Sequence, residues 1–248
     1  MAAPSDTRTA HDLAATWRPQ LYGRRPVHEV PDPLLEPNWL GARVLASIAG
    51  GVAEVRHDGE IVEDQPAIVD ALARLVIADG VVIDGVLTSQ AFRTGEGASI
   101  VETPAPRRGM LGRLFIPESR RRQDVEEDRA ATERAIEARD RALDSAEDVA
   151  FVAIDLLWLD GESLLDVPLL ERKRLLESVV AESELVRLSA FVRPGATGSV
   201  LGWRALGFDA IVYRAANGRY RPGEVNELCT VARIPSGQQG GGAGAPRL

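Results

Sequence analysis

The stretch that decides the fold is Phe151-Val152-Ala153-Ile154-Asp155-Leu156-Leu157-Trp158-Leu159-Asp160-Gly161-Glu162. Residues 149–157 form a near-continuous apolar run, which predicts a strand of the domain core. Residues 168–181 follow with apolar side chains at helical spacing, and they predict an amphipathic helix. The core of the domain is therefore expected around this strand and this helix.

Further elements are predicted on both sides of this centre. Towards the N-terminus, a hairpin over residues 42–56 turns at Gly50-Gly51, and residues 66–77 form a helix that opens with a proline. Residues 81–87 predict a short strand that Asp84-Gly85 interrupts. Towards the C-terminus the predicted elements are strands over 185–189, 208–214 and 225–234 and a short helix over 199–206. Because helices alternate with strands and the hairpins come early, we expect a mixed α+β domain over residues 26–234.

Three segments differ from this core in composition. Residues 1–25 are polar and predict a weakly ordered lead. Residues 89–148 form an insertion in which an Arg-rich, Gly-rich and Pro-rich part precedes a charged helix over 123–148. Residues 235–248 are Gly-rich and predict a disordered tail.

Composition excludes several classes of protein. The chain of 248 residues has 45% apolar residues, which is ample for a buried core, and a net charge of −8. That charge is unfavourable for holding DNA by its phosphates, so any nucleic-acid surface has to be a local patch. Cys229 is the only cysteine, so no intrachain disulfide can form. There is no signal peptide and no apolar run of about 20 residues, so the chain is expected to be cytoplasmic and to lack a transmembrane segment.

Two stretches resemble one family. The run over 151–162, followed by Pro168-Leu169-Leu170-Glu171-Arg172, is similar to the F-V-A-F-D-L-L-W-L-D-G-E and P-L-L-E-R block of bacterial ATP-dependent DNA ligases, including those of end joining. Glu36-Pro37-Asn38-Trp39-Leu40-Gly41-Ala42-Arg43 resembles their nucleotide-attachment motif, E-P-K-W-D-G-x-R. The resemblance implies a ligase-type nucleotidyltransferase (ATP-grasp-like) adenylation domain with antiparallel sheets and flanking helices. These ligases normally carry an OB-fold after the last motif. Because the chain ends about fifteen residues after Arg233, no OB-fold is expected.

The attachment motif has lost its nucleophile. Asn38 stands where the resemblance places the lysine that attacks the α-phosphate of ATP, and Leu40 replaces the aspartate two residues later. A carboxamide nitrogen has its lone pair delocalised into the carbonyl, so it cannot form the covalent phosphoramidate. No catalytic residue is therefore predicted at this position.

Other positions of the ancestral site are implied by the same resemblance. The implied, vestigial nucleotide-binding residues are Glu36, Arg43, Ile154 and Arg214, where Ile154 replaces the aromatic ring that stacks on adenine. The implied metal ligands are Asp84, from a D-G-E motif that reads Asp84-Gly85-Val86, and Asp209, with Asp155 as a further carboxylate. The last motif, W-x-K-x-K, reads Leu228-Cys229-Thr230-Val231-Ala232, so both lysines are lost. ATP and Mg²⁺ are the cofactors that the resemblance implies, although losses of this extent make their retention doubtful.

Two further residues have competing interpretations. Lys173 is the only lysine of the chain, and the charged run around it predicts a solvent-exposed helix face. Cys229 is expected to be a small buried residue rather than a reactive thiol. Asp84 and Asp155 either converge on a metal with Asp209 or form hydrogen bonds within the sheet.

A local patch offers a DNA contact. Residues 107–122 contain six arginines around a Met-Leu-Leu-Phe-Ile cluster, and they could contact phosphates, an acidic protein or an anionic membrane, or simply be a solvated insertion. The predicted DNA-binding residues of this patch are Arg107, Arg108, Arg120, Arg121 and Arg122. The resemblance implies that Arg56, at a hairpin edge, also faces the DNA end, and the alternative is that it belongs to an ordinary turn.

The sequence therefore predicts a divergent ATP-dependent DNA ligase-family protein that is catalytically inactive. The ancestral reaction is the ATP-driven sealing of DNA nicks in repair and recombination. A binding or regulatory module that acts beside a true ligase or another repair protein is the favoured interpretation. The alternative is an active ligase or nucleotidyltransferase with relocated catalytic residues.

Overall fold

The computed structural model describes residues 9–90, 118–144 and 148–234. Within these residues the chain forms two β-sheets and five α-helices. In chain order the elements are α1 (Ala10–Thr16), β1 (Leu21–Gly23), β2 (Pro33–Pro37), β3 (Ala42–Ala49), β4 (Val52–His57), β5 (Glu60–Ile61), α2 (Pro66–Leu75), β6 (Gly80–Thr88), α3 (Glu118–Asp144), β7 (Ala150–Leu159), β8 (Glu162–Ser163), α4 (Leu169–Val179), β9 (Val186–Leu188), α5 (Thr197–Ala205), β10 (Ala210–Ala215) and β11 (Val225–Arg233).

The larger sheet has seven strands in the described part of the chain. Its order is β5-β4-β3-β6-β7-β8, and β9 pairs with β7 in parallel while the other pairs are antiparallel. One face packs on Ile68 and Leu72 of α2 and on Leu176 of α4. The apolar run of the sequence is β7, which is buried from Ala150 to Trp158. The predicted central strand is therefore confirmed.

The smaller sheet has the strand order β1-β11-β10-β2, and its pairs are antiparallel except for β1 with β11. Trp203 of α5 packs with Leu35 and Ile211 on one face of this sheet. The charged side chains described below lie between the other face and the larger sheet. The predicted mixed α+β class with antiparallel sheets and flanking helices is confirmed.

The predicted interruption at Asp84-Gly85 is wrong, because β6 continues through both residues. Gly85 has a packing role instead: a Cβ there would lie 2.4 Å from ring atoms of Phe151 on the neighbouring strand. Glycine at this position lets an aromatic ring of β7 lie against the backbone of β6.

The predicted weakly ordered lead over residues 1–25 is wrong for its described part. Thr9 and Asp12 form a reciprocal capping box at the start of α1. Ala10, Leu13 and Ala14, at spacings of three and four residues, are buried in a cluster with Leu45 of β3. These three apolar residues span about one turn, which is too short a pattern to predict a helix from the sequence. The residues that they pack against belong to strands that are distant in the sequence.

The predicted charged helix is confirmed as α3, which is joined to the larger sheet near its C-terminal end. Ala142 is buried there, and its carbonyl accepts a hydrogen bond from Nε2 of Gln65 at 3.1 Å. The predicted Arg-rich part of the insertion lies mainly outside the described residues, as does the predicted tail over 235–248. No helix among the described residues is long and apolar enough to cross a membrane.

Candidate functional site

The loop that carries Asn38 joins the two sheets, because β2 belongs to the smaller sheet and β3 to the larger one. The backbone N–H of Asn38 donates to the carbonyl of Ala210 at 3.0 Å, and the backbone N–H of Leu40 donates to Oε1 of Gln90 at 2.7 Å. Gly41 has a φ of 155°, and a Cβ there would lie 2.0 Å from the carbonyl oxygen of Leu87. Glycine is therefore required for the loop to pass this close to β6.

Charged side chains fill the space between the sheets, and we call this set the charged layer. Its members are Glu36, Arg43, Asp84, Asp155, Arg172, Lys173 and Arg214. All except Arg43 are buried, and their contacts below join β2, β3, β6, β7, β10 and α4.

Asp155 is at the centre of the charged layer. Arg172 binds it through two parallel hydrogen bonds of 2.8 Å, from Nε to Oδ1 and from Nη2 to Oδ2, and Arg214 donates to Oδ2 from the opposite sheet. Burial by itself raises the pKa of this carboxyl group, but the two guanidinium groups hold the pKa of Asp155 well below its ordinary value. Asp155 is thus a fully ionised anion that is bonded to two cations.

Lys173 corrects the sequence-based expectation of an exposed helix face. Its Nζ donates to Oε2 of Glu36 at 2.9 Å and lies 5.7 Å from the ring centroid of Phe191, and the residue is only 2% exposed. The physical reason lies in the spacing along α4, because its buried stripe consists of Leu169, Arg172, Lys173 and Leu176. Burial lowers the pKa of Lys173, and Glu36 opposes that effect.

Arg43 and Asp84 form the outer part of the charged layer. Arg43 binds Asp84 through two hydrogen bonds of 2.5 Å, and the hydroxyl of Tyr220 donates to Oδ2 of Asp84 at 2.6 Å. Although desolvation acts against the charge, Asp84 keeps the pKa of Arg43 well above its ordinary value. Arg43 also donates to the hydroxyl of Tyr22 at 3.1 Å, so the implied nucleotide contact is occupied by intramolecular bonds.

The structure brings four implied nucleotide-binding residues to one small cavity, which we call the inner pocket. Its lining is Tyr22, Glu36, Pro37, Trp39, Arg43, Val86, Ile154, Val212 and Arg214, and its volume is about 10 Å³. Ile154 reaches it from a bulge in β7, since Asp155 pairs with Asp84 while Ala153 pairs with Gly85. A volume of this size holds on the order of one water molecule. The pocket that these implied residues line is nearly filled by the protein's own side chains.

A second cavity lies beside the inner pocket, and we call it the outer cleft. Its volume is about 490 Å³, and its lining is Arg18, Pro19, Gln20, Leu21, Tyr22, Asn38, Trp39, Gly41, Arg43, His57, Asp58, Val86 and Gly223. Asn38 therefore faces the outer cleft, whereas Glu36 and Arg214 line the inner pocket. Tyr22, Trp39, Arg43 and Val86 line both cavities, so the two adjoin each other.

The predicted metal ligands are separated in the structure. Asp84 is buried with both oxygens bonded to Arg43, whereas Asp209 is exposed just before β10 and bonded to Arg134 of α3 at 2.5 Å. Asp155 has both oxygens bonded to arginines. Among the described residues no group of three or more His, Cys, Asp or Glu side chains could hold a metal ion. The residues present therefore do not fit the Mg²⁺ that the resemblance implies.

The register of β10 and β11 shows which side chains of the last motif share a face with Arg214. In the register of β10 and β11, Arg214 is opposite Cys229 and Tyr213 is opposite Thr230. Because side chains alternate between the faces of a strand, Cys229 and Val231 share the face of Arg214, and Thr230 and Ala232 do not. Burial raises the pKa of the Cys229 thiol to about 11, which agrees with a small buried residue. Register cannot be read from a single strand, so the sequence alone did not reveal this.

The predicted DNA contacts are only partly within the described residues. Arg56 donates to Oε2 of Glu54 at 2.7 Å and to the carbonyl of Gly59 at 2.8 Å, so its guanidinium belongs to its own hairpin. Arg107 and Arg108 lie outside the described residues. Arg120, Arg121 and Arg122 are in the first turns of α3, and their side chains lie outside the described part.

Comparisons with known proteins agree with this fold. The family model described as "ATP dependent DNA ligase domain" matches residues 28–227. The crystal structure of the ligase domain of LigD from M. tuberculosis superposes with a TM-score of 0.58 at 19% identity, covering 88% of this chain and 60% of that one. A mycobacterial DNA ligase D complexed with ATP and MES gives a TM-score of 0.54 at 18% identity with the same coverage. The chain thus spans about 60% of the length of these two ligase chains. A search of curated proteins gives no match.

Proposed function

The chain belongs to the family of ATP-dependent DNA ligase domains, and from that premise we propose that it is a non-catalytic member of the family. In this proposal it binds nucleic acid or a partner protein in DNA repair or recombination and does not seal nicks itself. The observation that carries the proposal is Asn38, a residue without a nucleophilic nitrogen, in the loop where the family's motif has its lysine.

The position of the only lysine supports the same proposal. Lys173 is bonded to Glu36 inside the protein and lines neither the inner pocket nor the outer cleft. A relocated nucleophile has to reach the α-phosphate of a bound nucleotide at close to van der Waals distance. The alternative of relocated catalysis would therefore require the charged layer to open.

The small inner pocket argues against tight binding of ATP at the ancestral position. A relative of this chain was solved in complex with ATP, but here Tyr22, Glu36, Ile154 and Arg214 leave about 10 Å³ in the inner pocket. The carboxylates beside it are bonded to arginines and do not offer ligands to a metal. Phosphoryl transfer relies on metal ions and positioned cations. Here the carboxylates are not free to bind a metal, and Arg43 and Arg214 are paired with Asp84, Glu36 and Asp155, which supports a module without this chemistry.

We further propose that phosphate contacts come from a local arginine patch. The net charge of −8 gives no long-range attraction to DNA, and the densest set of cations in the sequence is the six arginines over residues 107–122. The partner surface would then be separate from the ancestral pocket. A true ligase or another repair protein is the expected protein partner.

Intact-mass measurement tests the proposal directly. After incubation of the purified protein with ATP and Mg²⁺, the mass is expected to stay unchanged, because neither Asn38 nor the buried Lys173 can form a phosphoramidate. The sample is kept at neutral to alkaline pH, since phosphoramidates hydrolyse in acid. An added adenylyl mass that maps to Lys173, and that disappears in Lys173→Arg, would show an active enzyme with relocated chemistry.

A further inference from the structure

The outer cleft has a wall that the family model does not include. Residues 18–22 precede the matched range of 28–227, and they line the cavity together with Asn38 and Trp39. The volume of about 490 Å³ lies within the range of roughly 300–1,000 Å³ that is usual for small-molecule sites. A space of ligand size therefore exists beside the closed inner pocket.

This wall is fixed by backbone contacts at several points. Leu21 donates to the carbonyl of Glu224 at 2.9 Å, Gly223 donates to the carbonyl of Arg18 at 2.8 Å, and the backbone N–H of Gln20 donates to the hydroxyl of Tyr220 at 3.0 Å. Leu13 of α1, which leads into the wall, is fully buried. The cleft is thus formed before any ligand binds, and a ligand does not bear the cost of ordering it.

The lining combines three kinds of chemistry. Tyr22, with 38% of its surface exposed, and Trp39 offer aromatic rings, and the Trp39 ring is held by a 3.1 Å bond from its Nε1 to Oγ of Ser189. The carboxamide of Asn38 makes no hydrogen bond to any described residue, so its donor and its acceptor are both available. Arg18 adds a guanidinium that makes no ion pair with a described residue, Arg43 adds one whose charge is paired with Asp84, and Asp58 is the carboxylate of the lining.

These groups match the parts of a nucleotide. Bases stack on aromatic side chains regardless of sequence, an asparagine amide pairs with donors and acceptors on a base edge, and arginines bind phosphate. In a duplex the base edges and faces are occupied by pairing and stacking. The groups of the outer cleft are therefore suited to an unpaired nucleotide.

We propose that the outer cleft binds one unpaired nucleotide without covalent attachment, with its base against Tyr22 and its edge on the Asn38 carboxamide. Asn38 is then a binding residue, and the position of the lost nucleophile has become a recognition position. The inference rests on the proposed function, because only a site that does not attach the nucleotide can use an amide here. The same chemistry fits a nucleotide in a single strand or a free mononucleotide.

The test measures the affinity of the full chain for a short single-stranded oligonucleotide by fluorescence anisotropy at physiological salt. Tyr22→Leu is expected to weaken binding about tenfold, as loss of one stacking partner does. Asn38→Asp, which removes the amide donor and puts a negative charge against the edge of the base, is expected to weaken it to a similar degree. Tyr22→Phe keeps the ring and should retain most of the affinity. Tyr213→Leu removes a tyrosine that lines neither cavity, and it serves as the matched control.

Further arms separate the possible results. Competition by AMP shows that a free nucleotide suffices, whereas binding of the strand without such competition assigns the site to a strand. The inference is overturned if the protein binds neither probe, or if Tyr22→Leu and Asn38→Asp both bind like the parent protein while their melting temperatures show that they fold. It is also overturned if Ile154→Phe strengthens binding tenfold, because the nucleotide would then occupy the inner pocket. Each of these results leaves the mass measurement, and with it the proposed function, to be judged separately.

Discussion

The charged layer and the outer cleft lie side by side and share Arg43. They differ in whether the charged residues that the family motifs imply are present. In the charged layer every carboxylate is bonded to at least one cation, and Glu36 and Asp155 are each bonded to two. In the loop beside the outer cleft, Asn38 and Leu40 replace the two residues that the family uses for chemistry. Under the proposed function, the charges that hold the sheets together are the ones that remain, and the groups that would act on a substrate are the ones that have been replaced.

Energetics explain why the two regions differ. Removing one partner of a buried ion pair leaves an uncompensated charge and costs about 3–5 kcal/mol, a large part of the 5–15 kcal/mol that stabilises a typical domain. Replacing an exposed catalytic residue costs the fold on the order of 0.5 kcal/mol or less. If catalysis is not required, as we propose, the outer cleft can change freely and the charged layer cannot. This contrast leads to five predictions, from the largest effect to none.

The largest effect is expected from Asp155→Ala. Arg172 and Arg214 would lose their common anion inside the protein, so the free energy of unfolding should fall by about 3–5 kcal/mol in urea titrations. Asp166→Ala removes an exposed partner of Arg219 at 3.1 Å and should change stability by about 0.5 kcal/mol or less. Equal effects of the two substitutions would mean that the charged layer does not hold the sheets together.

The ionisation of Asp155 should make the free energy of unfolding depend on pH. The arginines lower the folded-state pKa of Asp155. Its contribution to the free energy of unfolding is therefore fully present above the unfolded-state pKa of about 3.9, and it is lost progressively as the pH falls from that value towards the lower folded-state pKa. Urea titrations of the parent protein between pH 6 and pH 3 should therefore show a fall in stability that Asp155→Asn reduces.

A smaller effect is expected from Lys173→Met. Methionine fills a similar volume, and Glu36 keeps its contact with Arg214 at 3.3 Å, so no buried charge is left entirely without a partner. The expected loss is about 1–3 kcal/mol. Arg174→Met is the matched control, because this neighbour lies on the exposed face of α4 and should change little. An unchanged stability in Lys173→Met would contradict the structural role of the only lysine.

These residues also show what could be predicted from the sequence. β7 and α4 were predicted because an apolar run and a helical period are local signals, and a short window of sequence that covers the element contains the whole signal. Lys173 was placed on the wrong face because its partner, Glu36, is 137 positions away and charged residues usually mark the exposed face. The wall of the outer cleft was missed for the same reason, since β1 pairs with β11 at the other end of the chain.

The candidate site was predicted to a similar extent. The motifs that resemble those of the family identified Glu36, Arg43, Ile154 and Arg214, and the structure brings all four to the inner pocket. The sequence could not show that this pocket is nearly filled, because its volume depends on the packing of side chains from β1, β2, β6, β7 and β10. The sequence also could not show that Asp84 and Asp209 lie apart. That result required the hydrogen-bond partners of both carboxylates, which only the structure gives.

A still smaller effect concerns duplex DNA. Replacing Arg107, Arg108, Arg120, Arg121 and Arg122 with serine is expected to weaken binding about tenfold, roughly equally for all sequences, and to reduce the dependence of affinity on salt. Arg43→Ala should matter less, because Arg43 is already bonded to Asp84 and a paired base cannot enter the outer cleft. Affinities measured at several salt concentrations would decide this. If Arg43→Ala abolished duplex binding and the serine replacements did not change it, DNA binding would be assigned to the outer cleft.

The last prediction is that Asn38→Lys alone restores neither adenylation nor nick sealing. The new amine would lie in the outer cleft, where Val86 offers no carboxylate, and Leu40 of the same loop offers none either. The neighbouring inner pocket holds only about 10 Å³, and the acids of the charged layer around it are bonded to arginines. A nucleophile contributes only when the α-phosphate is held in line and its charge is neutralised, and both conditions depend on residues that this single change does not supply. Intact mass with ATP and Mg²⁺, together with a nicked-duplex assay, should therefore match the parent protein, with Asn38→Gln as the neutral control. If the Asn38→Lys variant became adenylated at its new amine and sealed nicks, the ancestral site would need only its nucleophile, and the closed inner pocket would open readily for ATP.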